Sequence, residues 1–415
     1  MVASSGKLCD ARARVSPAGA HPGRPARTRR RNARPSPAGL IRAALALIAL
    51  LAGLVGGPAR AEGIRVATWG ASFTRDGPGL LLRAILRGDD SQANAAIAGL
   101  LALRADLLVL TRVDWDGDGA ALAALADRLE EAGLSYPHRF AARPNAGLTT
   151  GLDLDGDGRS GPRDAQGYGR FPGSGGLAIL SRWPLRSIAD LTPLLWRDLP
   201  GARLPRHPDG SPFPSEAAWA VQRLSSTGHW LVEVEAPGGS FTIGAWAATP
   251  PVFDGPEDRN GLRAADEAAV WLRLLDGALS VPPPRGPFVL LGLANLDPAD
   301  GEGPEGAIAA LLGDGRLQDP RPASDGGRLA ADPGQGGDPA LDTADWPGPD
   351  EGGPGNLRVS YVLPSAGWAV LDSGVLWPPP DDPLAETVAA AGPHRAVWVD
   401  LAPPGPSLDP GGGGG

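Results

Sequence analysis

The run Phe288–Leu293 constrains the fold of this chain more than any other stretch, because six residues without a polar side chain lead directly into a polar loop. A short apolar run that contains Gly292 and ends before Asp297-Pro298 is typical of a buried strand that opens into a loop. In α/β proteins, loops at the carboxyl ends of strands carry the chemistry. We therefore expect the functional site here, although Asn295 is the one polar side chain before Asp297.

Strand and helix patterns alternate along the rest of the chain, and no linker divides it between residues 63 and 402. The sequence predicts a single α/β domain with mixed sheets, a mobile Gly/Pro/Asp-rich insert at about 323–355, and a disordered Pro/Gly tail at 403–415. The predicted strands are 64–69, 106–111, 176–182, 230–234, 241–245, 288–293, 359–363 and 396–401. The predicted helices are 92–104, 120–132 and one within 257–279.

The first 61 residues have the order of an export signal. Basic residues precede an apolar segment at 38–57, and the small-x-small sequence Ala59-Arg60-Ala61 follows it. We expect cleavage near Ala61 and export to the periplasm or outside the cell. The alternative is a membrane anchor, since about 20 apolar residues can span a bilayer.

Cleavage at that point would change the charge of the chain considerably. Residues 1–61 hold 11 of the 38 basic residues and 1 of the 47 acidic residues. The mature chain would therefore carry 27 basic and 46 acidic residues, a net charge of −19. It would also lose Cys9, the sole cysteine, and with it any thiol or disulfide chemistry. So acidic a protein does not favour a nucleic-acid partner, and a membrane partner is expected only if segment 38–57 is retained.

An acidic loop follows the second predicted helix. Asp153, Asp155, Asp157 and Asp164, with Gly158 between them, match the spacing of a calcium-binding loop, in which hard oxygen ligands converge on one cation. The alternative is an acidic turn whose carboxylates are solvated. We expect a structural Ca²⁺ ion here.

Two histidines near predicted strands are candidates for other roles. His394 follows Gly392-Pro393 and could act as an acid, a base or a phosphate ligand, but Pro393 cannot orient an imidazole as a carboxylate would. A structural role is equally consistent with its sequence. His229, beside Trp230, is expected to pack rather than to catalyse.

Taken in order, several segments resemble the endonuclease/exonuclease/phosphatase family over nearly all of residues 63–402. The segments are Arg65-Val-Ala-Thr-Trp69, Ala105-Asp-Leu-Leu-Val-Leu110, Gly176-Leu-Ala-Ile-Leu-Ser-Arg182, Thr249-Pro-Pro-Val-Phe-Asp-Gly255, the stretch 288–298, Asp342-Thr-Ala-Asp-Trp346 and the stretch 394–401. The resemblance implies two packed mixed β-sheets flanked by helices, a four-layer sandwich. It also implies hydrolysis of phosphoesters with Mg²⁺ or a similar ion.

The same resemblance implies that most catalytic residues have been replaced. Where the family has Asn, Glu, His and three Asp residues, this chain has, respectively, Gly70, Arg112 and Ala247, then Leu293, Ser360 and Pro393. Asn295 and His394 are the remnants. Arginine repels a dication, and leucine and proline offer no ligand, so the substitutions oppose metal-dependent hydrolysis.

The sequence thus favours an exported, catalytically defective member of the family that serves as a binding or structural module. The alternative is an active metal-dependent phosphatase or nuclease that has rebuilt its site from Asn295, His394, Asp258 and Asp297. In that case Mg²⁺ would be its cofactor.

Overall fold

The computed structural model describes residues 63–403, in which two mixed β-sheets lie between layers of helices. The strands are β1 Ile64–Trp69, β2 Leu107–Val113, β3 His138–Phe140, β4 Gly176–Ser181, β5 Leu185–Asp190, β6 Gly228–Ala236, β7 Gly239–Ala247, β8 Phe288–Leu293, β9 Ser360–Pro364, β10 Val370–Leu376 and β11 Ala396–Leu401. The helices are α1 Leu80–Arg87, α2 Ser91–Leu103, α3 Ala120–Glu131, α4 Glu216–Val221, α5 Arg259–Leu275, α6 Ala309–Leu312, α7 Asp325–Leu329 and α8 Ala385–Ala390. The predicted fold class is confirmed.

The six-stranded sheet has the order β10-β11-β1-β2-β4-β3 and the five-stranded sheet the order β5-β6-β7-β8-β9. β1 pairs with β2 in parallel and with β11 antiparallel, while β7 and β8 are parallel and β9 is antiparallel to β8. Parallel pairs are therefore mixed with antiparallel ones in both sheets. The carboxyl ends of β7 and β8 lie side by side at one end of the second sheet.

Alternating side chains of the strands build separate cores. On β1, Val66 packs between the two sheets, whereas Ala67 and Trp69 pack against α1, α2 and α3. On the second sheet, Leu290 and Trp246 pack against α5, on the side away from the first sheet. Because both faces of the central strands are buried, the strands consist of nearly continuous apolar runs, as the sequence predicted.

Helix α2 forms where its cap predicts it. The side chain of Asp90 accepts a hydrogen bond from Ala93 N at 2.9 Å, which satisfies one of the free N–H groups at the start of the helix. Helix α1 was not predicted. It starts after Gly79 in the left-handed conformation, without a side-chain cap, so the usual start signal is missing from the sequence.

The insert at 323–355 is partly built into the core. Asp342, Thr343 and Ala344 are buried. Ala344 forms isolated antiparallel β-bridges with both Leu357 and His394. Residues 342–344 of the insert, which the sequence predicts to be a mobile loop, are therefore part of the protein interior. The mobility of its other residues stays a prediction.

The export signal at 1–61, its apolar segment 38–57 and tail residues 404–415 lie outside the described residues. No helix within 63–403 is both long enough and apolar enough to cross a bilayer.

Candidate functional site

The positions where the resemblance implies catalytic residues lie at or just beyond strand ends of the two sheets, and we call this set of residues the cleft. It comprises Gly70, Thr111, Arg112, Ala247, Leu293, Asn295, Ser360, Pro393 and His394. Three of them form a row across the second sheet, where Leu293 on β8 pairs with Ala247 on one side and Ser360 on the other. The sequence analysis named all of these positions except Thr111, and strand register makes neighbours of Ala247, Leu293 and Ser360.

The row is apolar at its centre. Leu293 and Ala247 are both buried and belong to the core between the two sheets. Ser360 is also buried, and its backbone N–H donates to Thr343 Oγ1 at 3.0 Å. The side chain at 293 therefore contributes packing where relatives are expected to have a carboxylate.

The first sheet supplies Gly70, Thr111 and Arg112 to the cleft, and His394 lies just before β11. A Cβ atom added at Gly70 would lie 3.1 Å from His394 Cγ and 3.2 Å from Thr111 Oγ1. The imidazole of His394 therefore packs directly against the Gly70 backbone, and the Thr111 hydroxyl contacts the same glycine. An asparagine at position 70 would need His394 to move.

His394 is held by its backbone and by aromatic rings. Trp69 Nε1 donates to His394 O at 2.9 Å, and the Trp346 ring meets the imidazole edge-on at a centroid distance of 5.2 Å. Burial, and then the positive charges of Arg112 and Arg395, lower the pKa of His394 to about 3. The imidazole is therefore neutral at physiological pH.

Arg112 sits on a β-bulge at the end of β2. The register of β2 against β4 shifts between Thr111 and Val113, and Arg112 has φ 60°, a left-handed conformation that a non-glycine residue rarely adopts. Solvent reaches its side chain, yet desolvation by the surrounding protein lowers the pKa of the guanidinium.

Asn295 is used structurally. Its Nδ2 donates to Ala248 O at 2.7 Å, and its backbone has φ 54°. The amide therefore ties the loop after β8 to the end of β7. Asp297 is also engaged, since its two carboxylate oxygens accept from the backbone N–H groups of Ala299, Asp300 and Arg358.

The acidic loop, residues 153–164, brings together three of its four predicted ligands. Carboxylate oxygens of Asp153, Asp155 and Asp164 all lie within 4.8 Å of one another, the one such group of three acidic, histidine or cysteine side chains among residues 63–403. Asp157 is not in the group, and its Oδ1 accepts from Arg159 N at 2.7 Å. Burial, opposed by a hydrogen bond from Asp157 N and reinforced by the neighbouring negative charges, raises the pKa of Asp155.

Sequence reasoning missed Thr111, because it reads as one more residue of a buried strand. It also gave no role to Glu267 on α5. Glu267 is fully buried and accepts from Ser226 N at 2.5 Å and Thr249 N at 2.7 Å, and burial raises the pKa of its carboxyl to about 7. The Glu267 carboxylate therefore fastens two loops to the helix.

His229 is buried as expected, with its Nδ1 2.9 Å from Ser225 Oγ.

A cavity of about 360 Å³ opens elsewhere, between α1 and the loop around Trp115. Its lining includes Asp114 and Asp116 but no residue of the cleft. Both carboxylates already accept backbone hydrogen bonds, Asp114 from Arg75 N and Asp116 from Ala121 N. The chemistry argued from the sequence therefore concerns the cleft, not this cavity.

A sequence model described as Endonuclease/Exonuclease/phosphatase family matches residues 79–399. No curated protein matches the chain.

Several solved structures resemble the chain. An endonuclease/exonuclease/phosphatase from Beutenbergia cavernae is 18% identical, with 83% of this chain and 73% of that chain covered and a TM-score of 0.47. Sphingomyelinase C from Streptomyces griseocarneus is 16% identical, with 82% and 99% covered and a TM-score of 0.43. The human Nocturnin catalytic domain with bound sulfate is 13% identical, with 83% and 95% covered and a TM-score of 0.43.

Proposed function

Because the chain belongs to the endonuclease/exonuclease/phosphatase family, we propose that it is a catalytically defective member that serves as a binding or structural module. One observation carries this proposal. The positions where the resemblance implies catalytic residues lie at strand ends of both sheets, and there the chain presents an arginine, a neutral histidine and apolar side chains. Hydrolytic machinery of the family type needs carboxylates at that place.

The residues of the cleft do not fit the Mg²⁺ ion that the family implies. Mg²⁺ requires oxygen ligands in near-octahedral arrangement, usually with one or two carboxylates. Here the position expected to supply the acid holds Arg112, whose charge repels a cation, and Asn295 offers only a neutral amide oxygen. Leu293 completes the core between the sheets and offers no ligand. The cleft therefore lacks the ligand set that a metal-assisted hydrolysis of the family type requires.

An activity assay tests the proposal directly. The full-length protein is incubated with Mg²⁺, Mn²⁺ or Ca²⁺ and a generic phosphomonoester, a phosphodiester or plasmid DNA. We expect no turnover above that of the His394→Ala and Asn295→Ala variants prepared in the same way. Turnover by the wild type that either substitution abolishes would overturn the proposal and favour an active phosphoesterase with a rebuilt site.

We also propose that the acidic loop binds a structural divalent cation, Ca²⁺ being the ion its spacing suggests. The convergence of Asp153, Asp155 and Asp164 supports this proposal, since three negative charges held this close repel one another unless a cation neutralises them. The proposal does not need Asp157 as a ligand, because the three converging carboxylates alone account for the repulsion. A melting temperature that rises with millimolar Ca²⁺ is the expected result.

Export is a further proposal, supported by the order of basic, apolar and small residues in 1–61. Fractionation of expressing cells and sequencing of the mature N-terminus test it. We expect a soluble exported protein that starts near Glu62. A chain that stays in the membrane fraction with residues 38–57 intact would show a membrane anchor instead.

A further inference from the structure

The cavity between α1 and the loop around Trp115 combines aromatic and acidic side chains. Trp115 and Phe171 line it together with Asp114 and Asp116, and the other lining residues are apolar or glycine. Its volume of about 360 Å³ is at the small end of the range for ligand pockets, about 300–1,000 Å³. Among residues 63–403, the charged groups that line the cavity are therefore both negative.

The aromatic wall of the cavity is held in place by the backbone. Trp115 N donates to Gly173 O at 2.8 Å, and Ser174 N donates to Phe171 O at 3.0 Å, which closes a turn around Gly173. A Cβ atom added at Gly173 would lie 3.3 Å from Trp115 Cε3, so the indole packs against this turn. Trp115 and Phe171 are both half-buried. The wall is therefore formed before any ligand binds, and solvent reaches part of it.

The two carboxylates of the cavity keep their negative charge. Neither Asp114 nor Asp116 forms an ion pair within residues 63–403, and the guanidinium of Arg75 is paired with Asp90 at 3.0 Å. Burial raises the pKa of Asp114, and the hydrogen bonds from Gly175 N and Arg75 N and the charge of Arg75 oppose this rise. Backbone N–H groups position these acids, but they do not neutralise them as an arginine side chain in contact would.

This composition discriminates between classes of ligand. An anion would be repelled by both carboxylates. A sugar needs donors as well as acceptors, and Trp115 Nε1 is the one side-chain donor in the lining contributed by the described residues. A neutral apolar molecule would take water away from the carboxylates without replacing it. A cation that carries alkyl groups satisfies both features, because its charge attracts the acids and the aromatic faces while its carbon atoms fill the apolar space.

We propose that this cavity binds an organic ammonium cation with alkyl substituents, with Trp115 and Phe171 as the aromatic wall and Asp114 and Asp116 as the counter-charge. Helix α1 supplies Leu81 and Leu82 to the apolar part of the lining. The inference is independent of the proposed loss of hydrolysis, since no residue of the cleft lines the cavity.

The experiment measures binding of tetramethylammonium to the full-length protein by saturation-transfer NMR. tert-Butanol is the neutral probe of similar size and methyl glucoside is the sugar probe, all at matched ionic strength. We expect saturable binding of tetramethylammonium, and binding of tert-butanol that is at least about tenfold weaker, because the neutral probe gains neither the cation–π nor the Coulomb attraction.

Two substitutions separate the contributions of the ring and the charge. Trp115→Leu keeps an apolar side chain but removes the aromatic face, and it should weaken tetramethylammonium binding about fivefold or more. Asp116→Asn removes the charge, and its amide oxygen can still accept from Ala121 N, so the start of α3 should be preserved. It should weaken tetramethylammonium binding and leave tert-butanol binding unchanged.

The matched controls are Trp183→Leu, which removes a half-buried tryptophan outside the lining, and Asp118→Asn, which removes an exposed acid two residues further along. Both should bind tetramethylammonium as the wild type does. Thermal melting identifies any loss of folding, and Asp116→Asn keeps the test decisive if Trp115→Leu unfolds.

Four results would overturn the inference. They are the absence of saturable tetramethylammonium binding, equal binding of tetramethylammonium and tert-butanol, preferential binding of methyl glucoside, and equal weakening by Asp116→Asn and Asp118→Asn. The last result would mean attraction by net charge alone. Turnover in the activity assay would overturn the proposed function and leave this inference standing.

Discussion

The acidic loop and the cleft have opposite charge arrangements, although relatives are expected to carry their metal-binding chemistry in the cleft. In the loop, three carboxylates converge within 4.8 Å and their oxygens also accept backbone N–H groups. In the cleft, a guanidinium stands beside a hydroxyl and an imidazole nitrogen, and none of the three has a partner among residues 63–403. The charged groups of the loop are therefore carboxylates, and the charged group of the cleft is a guanidinium.

The two regions differ in charge within one continuous fold. The strands that end at the cleft have a buried apolar pattern, and the residues proposed to have replaced catalytic groups lie at their ends. A leucine that joins the core or an arginine on a bulge can be accommodated there, because strand ends do not set the register of the sheet.

Restoring one carboxylate in the cleft should have the largest effect. Leu293→Asp places an acid in the core between the sheets, beside Ala247 and Ser360. We expect it to lower the free energy of unfolding by about 3–5 kcal/mol at neutral pH, because the charge is buried without a partner. Chemical denaturation measures this change.

Leu293→Asn is the matched control, since asparagine has nearly the same shape as aspartate without the charge. At neutral pH, Leu293→Asn should lower the free energy of unfolding less than Leu293→Asp does. The free energies of unfolding of the two variants should converge as the pH falls and the aspartate becomes protonated. Equal stability of the two variants at neutral pH would mean that a cation in the cleft already compensates the carboxylate.

Lowering the pH should destabilise the folded protein through His394, by less than Leu293→Asp does and by more than a substitution in the acidic loop. Its folded pKa of about 3 lies below the ordinary value of 6.5, so the unfolded chain takes up the proton first and stability is lost as pH falls below 6.5. At pH 5 this loss corresponds to about 2 kcal/mol relative to pH 7 or above. The buried His229, with a pKa of about 4, contributes with the same sign.

Comparison with His394→Gln isolates this contribution. The groups that both proteins share cancel in the difference, including Glu267 and Asp342, whose pKa values are raised to about 7 and which act with the opposite sign. The stability advantage of the wild type over the variant should shrink by about 2 kcal/mol between pH 7 and pH 5. A difference independent of pH would show that His394 is charged or exposed in the folded protein.

The smallest effect is expected in the acidic loop, and its sign should depend on calcium. Without a divalent cation, Asp155→Asn relieves repulsion from Asp153 and Asp164, so the variant should equal or exceed the wild type in stability by up to about 1 kcal/mol. With millimolar Ca²⁺, the wild type should be the more stable, because it binds the ion more tightly. Thermal melting of the wild type and the variant, once in EDTA and once in Ca²⁺, measures both stability differences.

Asp118→Asn is a control, since it removes an exposed acid outside the acidic loop. It should respond to calcium as the wild type does. A wild-type melting temperature that Ca²⁺ leaves unchanged would count against the cation site and leave an acidic turn.

Much of the fold could be predicted because buried strands and capped helices leave strong local signals. The bounds of β1 and β11 match the predictions, and α2 begins one residue before the predicted start. Strands β3, β5 and β10 were missed, since each is an edge strand or short and lacks a continuous apolar run. Edge strands owe their conformation to the neighbour with which they pair, and a local pattern does not identify that neighbour.

The sequence by itself determined the buried strands, the acidic spacing of the loop and the residue types at the strand ends, because these are properties of residue type and order. Only the tertiary structure placed Thr111 and His394 against the same glycine and set Arg112 on a left-handed bulge at the cleft. Those relations join residues far apart in the chain. They depend on register and backbone geometry, which local sequence patterns do not specify.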